Sequence, residues 1–185
     1  GIKKLFGDAY DQVIADSSRA YKEAGMSAND YMETATSFSA SLIAGLSGDT
    51  QKAASLTNQA IKDMSDNANT FGTDISSIQN AYQGFAKQNY TMLDNLKLGY
   101  GGTQAEMARL INDSGVLGKT MQVTAKNVND VSFDKIIEAI HVMQEQMNIA
   151  GTTAREASGT IEGSINSMKA AGKNLLTAFA ADDLD

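Results

Sequence analysis

Across its 185 residues the chain carries no proline. Average usage near 5% would place about nine in a chain of this length. Proline lacks a backbone N–H and clashes with the preceding turn, so helix interiors exclude it. A chain without any can be helical nearly throughout, and the abundance of Ala, Met, Gln, Lys and Glu agrees with that. The 16 glycines oppose a single rod; they mark helix ends or close helix crossings. The expected fold class is all-α, a multi-helix bundle of about seven helices.

Periodicity and punctuation place those helices. The first runs from Ile2 to Ala24, with Leu5, Ala9, Val13 and Ala20 on its apolar face, and stops at Gly25. Ser27 caps a second that carries Tyr31, Ala35, Phe38, Leu42 and Leu46 to Gly48. Asp49 or Thr50 opens the third, striped by Leu56, Ala60, Met64 and Phe71 before Gly72. Thr73 or Asp74 opens the fourth, with Ile75, Ile78, Tyr82 and Phe85 on one face. Gly99, Gly101 and Gly102 make a break that divides the chain into 1–98 and 103–185. Thr103 to Glu106 has the capping-box pattern, and a short helix through Met107, Leu110 and Ile111 follows. Gly115 to Val131, rich in β-branched residues, reads as a loop or a short extended piece. Phe133, Ile136, Ile140, Met143 and Met147 form the sixth stripe, ended by Gly151.

Thr153 to Glu156 is a second capping-box pattern and opens the last helix. Its 4-3 spacing through Ala154, Ser158, Ile161, Ile165, Met168, Gly172, Leu175 and Phe179 is that of a heptad seam. The seam can close within the bundle or against a second copy, making a homo-oligomer. Ile161, Ile165, Met168, Gly172, Leu175 and Phe179 are the candidate packing and self-association residues.

The chemistry-bearing residues are sparse. With no cysteine, disulfides and thiolate metal sites are excluded. His141 is the only histidine, next to an apolar helix face, and reads as structural. Asp63, Asp66 and Asp74 are expected on solvated helix faces. Gly115-Val116-Leu117-Gly118-Lys119-Thr120 imitates a phosphate loop, but Asp113 stands where the spacing needs glycine and no buried strand precedes it. Leu98 to Thr103 reads as a glycine-rich turn between helices. A formal net charge of −7 argues against sequence-specific nucleic-acid binding, which usually needs a basic face. No run of 18 apolar residues exists to cross a membrane. No catalytic residue, cofactor or metal is expected, and the chain reads as non-enzymatic.

Several long strings resemble one family. They are Ser76 to Thr103, with Asn80-Ala81-Tyr82-Gln83-Gly84-Phe85; Gly151 to Ala171, followed by Asn174-Leu175-Leu176; Ala53 to Asn69, with Ile61-Lys62-Asp63-Met64-Ser65-Asp66-Asn67-Ala68; and the start Ser27-Ala28-Asn29-Asp30-Tyr31-Met32. They resemble phage tail tape measure proteins of tailed phages and prophages, and the resemblance covers essentially the whole chain. Two places depart from it: the family often has Trp where this chain has Gly172, and Gly115 to Val131 is less typical.

The resemblance implies that residues 1–185 are a helical segment of a longer tape measure protein. Such proteins fill the lumen of the growing tail. Tail assembly chaperones coat them, tail tube protein polymerises around them, and they leave with the DNA at infection. It thus implies tail tube, chaperone and tail tip proteins as partners, and the virion tail lumen as location after assembly in the bacterial host cytoplasm. A competing reading is a host-interaction or membrane-active helical module released during DNA ejection, with Leu175, Leu176 and Phe179 as its apolar end.

Overall fold

The computed structural model describes residues 1–158. The protein is an all-α bundle, and among the described residues there is no strand. Among the described residues nine helical segments follow in order: α1 (Ile2–Phe6), α2 (Tyr10–Ser18), α3 (Ala20–Ala24), α4 (Ala28–Gly45), α5 (Thr50–Phe71), α6 (Ile75–Ala86), α7 (Gln104–Ser114), α8 (Phe133–Gln146) and α9 (Thr152–Ser158). Single 3-10 turns lie at Gly7–Ala9, Leu93–Leu96 and Val128–Asp130.

The expected first helix is three pieces rather than one. Gly7, at φ 52° and ψ −118°, ends α1 in a conformation that a side chain strongly disfavours. Arg19 then separates α2 from α3 by a tightened turn, its N–H donating to Asp16 O at 3.1 Å. The next three starts follow their capping residues. Ser27, Asp49 and Asp74 accept from the backbone N–H of Asp30, Lys52 and Ser76, each satisfying one donor that a helix start leaves open. The sixth stripe ends at Gln146, ahead of Gly151.

Both expected capping boxes take another form. Thr103 Oγ1 accepts from Glu106 N at 3.1 Å, but the Glu106 carboxylate reaches past Thr103 to Gly101 N. Arg109 holds the other end of that carboxylate at 2.6 Å. Its guanidinium, then the Gly101 N–H, hold Glu106 down to about 2. At α9 no box forms. The carboxylate of Asp66, on α5, caps the helix instead.

Helix α5 lies at the centre, packed against α2, α3, α4, α6, α8 and α9. Alanines at 53, 54, 60 and 68 let neighbours approach closely, while Ile61 and Met64 are fully enclosed. Side chains of that size each contribute about 1.5–3 kcal/mol on burial. Phe38 of α4 meets Phe133 of α8 edge to face at 5.8 Å, and Tyr82 and Phe85 fill the α6 side. Among the described residues the buried apolar cluster runs from Phe6 to Ile149 and includes residues on both sides of Gly99 to Gly102. Residues 115–131 are irregular apart from the 3-10 turn, as their sequence suggests. Asn112 of α7 holds that segment, its side chain pairing with both the N–H and C=O of Val123.

Candidate functional site

Asp63, Asp66 and Asn67 stand three and four residues apart, on one face of α5. Contrary to the expectation for the two acids, that face looks inward: Asp63 is 2% exposed, Asp66 3% and Asn67 0%. Asp74 alone of the three acids is solvent-facing, as the α6 cap.

Each inward side chain has partners. Both carboxylate oxygens of Asp63 lie 3.0 Å from His141 Nδ1, and His141 Nε2 lies 2.9 Å from Glu145 Oε1. Asn67 Nδ2 donates to Leu96 O at 2.8 Å and to Gln144 Oε1 at 2.9 Å. Gln144 Nε2 donates back to Asp63 O at 3.1 Å. Asp66 accepts from Gly151 N at 2.7 Å and Thr153 N at 2.9 Å. The cluster therefore joins α5 to α8, to the 3-10 turn at Leu93–Leu96 and to α9. A cleft of about 570 Å³ opens beside it, lined among others by Glu23, Lys62, Asp63, His141 and Gly151.

Electrostatics follow from burial and pairing. Burial pushes the Asp63 carboxyl up to about 6, outweighing the imidazole beside it. The hydrogen bond to Asp63 raises His141 against its own partial burial, and Glu145 adds to the rise. A protonated imidazole donates to a carboxylate on each side, so the three groups form a strut between α5 and α8.

That geometry limits the chemistry. Both ring nitrogens of His141 are engaged, which leaves none to accept a nucleophile's proton or bind a metal. Among the described residues no group of three or more His, Cys, Asp or Glu side chains is arranged to hold a metal ion. The lookalike phosphate loop lacks its helix: Lys119 and Thr120 are exposed and irregular chain follows them. In the turn before α7, a Cβ on Gly102 would meet Thr91 O at 2.2 Å, so glycine is required there by close backbone approach.

No known family, curated protein or solved structure matches the chain. The candidate seam residues Ile161, Ile165, Met168, Gly172, Leu175 and Phe179, like Leu176, lie outside the described residues. Of the earlier seam positions, Ala154 is half-buried beside the cleft. Among the described residues no helix is long and apolar enough to cross a membrane.

Sequence reasoning placed Asp63 and Asp66 on solvated faces and gave Asn67 and Gln144 no role. One signal was present: Leu56, Ala60, Asp63 and Asn67 continue a 4-3-4 spacing, so two polar residues occupy positions of the apolar stripe.

Proposed function

We propose that this chain is a structural segment of a phage tail tape measure protein. In this reading it helps set tail length during assembly and occupies the tail tube lumen until DNA ejection. The observation that carries it is the long, nearly chain-wide resemblance of Ala53 to Asn69, Ser76 to Thr103 and Gly151 to Ala171 to that family. The described parts of these strings meet in space. Asn67 of the first bonds to Leu96 O of the second, and Asp66 of the first caps the start of the third. The strings that carry the resemblance thus include residues that tie one helix to another, which supports a folded unit acting through its packing. The proposed role is mechanical and non-enzymatic, with tail tube, tail assembly chaperone and tail tip proteins as partners.

An in-frame deletion of this segment from the parent gene tests the reading. Drawn out as one helix, 185 residues span roughly 280 Å at about 1.5 Å per residue. Electron microscopy is expected to show tails shortened by a measurable amount below that full increment. Tails of unaltered length, or purified tails in which mass spectrometry finds none of these peptides, would overturn it.

A further inference from the structure

The turn that joins the Leu93–Leu96 segment to α7 does not hold itself. Residues 99, 101 and 102 are glycine, which has the most backbone freedom to lose on ordering. Among the described residues, no backbone group from Leu98 to Gly102 bonds to another backbone group. The hydrogen bonds that this stretch of backbone makes come from two side chains of the next helix. Glu106 Oε1 accepts from Gly101 N at 3.1 Å, and Arg109 Nη2 donates to Gly99 O at 2.9 Å.

Those two side chains are also bonded to each other. Arg109 Nε donates to Glu106 Oε2 at 2.6 Å and Nη2 to Oε1 at 3.0 Å, the two-pronged pairing of a guanidinium fork with a carboxylate. The same guanidinium stacks over the Tyr100 ring, 4.1 Å from its centroid. The Tyr100 hydroxyl donates to Asp113. Residues 106, 109 and 113 follow at steps of three and four, so one face of α7 supplies all of these contacts. The other face carries Met107, Leu110 and Ile111 into the core. Apart from this, the turn is packed rather than bonded: Tyr100 is buried, and Gly102 passes close to Thr91 O. Such packing limits where the turn lies without fixing the orientation of the Gly99 and Gly101 peptides.

We propose that Glu106 and Arg109 form a clasp that sets the conformation of the Gly99–Gly102 turn, which becomes a hinge when the ion pair opens. The division of contacts carries this. What orders the turn lies on the outer face of α7, while what seats α7 lies on its inner face, so the first can open with the second intact. Leu93 and Leu96, ahead of the turn, are likewise seated by burial. The clasp is exposed enough, with the Arg109 side chain at 49%, for salt to compete with it. The hinge stands independently of the tape measure reading, because it concerns this chain alone.

Amide hydrogen exchange on the full chain tests it. Arg109→Met keeps an unbranched stem and removes every donor. The Gly101 amide is expected to exchange about tenfold faster or more, the usual consequence of loosening a bond to a charged group, while core amides of α5 and α8 keep their rates. Glu106→Gln removes the charge from the other side of the pair and leaves the bond from the residue 106 amide to Thr103 Oγ1 in place. It is expected to speed Gly101 exchange in the same selective way. Arg109→Met decides the matter unless it also speeds the core amides, in which case Glu106→Gln decides. Unchanged Gly101 exchange in the deciding variant, or core amides accelerating in step with Gly101 in Glu106→Gln, would overturn the proposal.

Discussion

Residues 2–24 and 50–71 have nearly the same length and apolar spacing, and each is followed by glycine, yet only the second is one helix. The difference is in what surrounds them. Helix α5 has neighbours around most of its circumference, so a kink would break packing on several sides at once. The N-terminal run lies along the outside, with Asp11, Arg19, Tyr21 and Lys22 exposed. It follows the curved surface of the bundle by turning at Gly7 and tightening at Arg19. Apolar period tells which side of a helix faces the core; enclosure decides whether the helix must stay straight.

The largest expected effect comes from cutting an isoleucine in each region. Ile61 of α5 is 0% exposed, and Ile14 of α2 is half-buried against the same core. Ile61→Ala is expected to cost about 2–5 kcal/mol, because an enclosed site cannot collapse around the void. Ile14→Ala should cost less than about 1.5 kcal/mol, since the peripheral helix can settle inward and solvent reaches the site. Urea denaturation of both variants measures the contrast. Equal losses would show that α2 is as tightly enclosed as α5.

The same contrast explains what was legible from the sequence. Caps at Ser27, Asp49 and Asp74 rest on contacts within a few residues, so residue type and spacing place the first outright and the other two to within one residue. The 115–131 loop was visible from its missing period. The interruption at Arg19, the Glu106 bond to Gly101 and the Asp66 cap on α9 depend on what lies next to the chain in space. Thr153 to Glu156 shows this most clearly: the residues for a local box are present, but a carboxylate from residue 66 takes the position. Asp63 and Asn67 were hidden for a related reason. A polar residue on a buried face is read as exposed until its partners, here His141 and Gln144, are known to be opposite.

The buried acids of the two regions give a pH dependence of one sign. Asp63 is raised from 3.8 to about 6, by burial above all, and Asp16 of α2 is raised by burial against the pull of Arg19. A raised acid holds its proton more tightly in the folded state, so its contribution is present below the unfolded value and is lost as pH rises through the folded one. His141, raised by its bond to Asp63, contributes fully below 6.5 and loses that contribution as pH climbs through its higher folded value. Glu106, held down, acts only below about 4.5. Stability is therefore expected to fall from pH 4.5 to pH 8, by a total on the order of 1–2 kcal/mol. His141→Gln should remove the imidazole's own share of the fall and, by taking away the group that lowers Asp63, shift the remaining fall to higher pH. A stability maximum at pH 8, read from denaturation midpoints, would contradict this.

The smallest effect bears on why the N-terminal run breaks at Arg19. Two causes compete. Ser17 and Ser18 each return a hydroxyl hydrogen bond, at 2.8 Å, to Ile14 O and Ala15 O, and such back-bonding bends helices locally. Alternatively, the break is set from outside, by Ala20 and Ala24 seated in the core and by Arg19 turned onto the buried Asp16 at 2.6 Å. Ser18→Ala separates them, because it deletes a hydroxyl and installs the best helix former without touching a buried partner. If enclosure and core contacts set the path, the tightened turn persists. Stability should then change by less than about 0.5 kcal/mol, with the carbon chemical shifts of Arg19 staying at their non-helical values. If those shifts move to helical values, the break is local in origin, and the N-terminal run differs from α5 by one serine rather than by its place in the bundle.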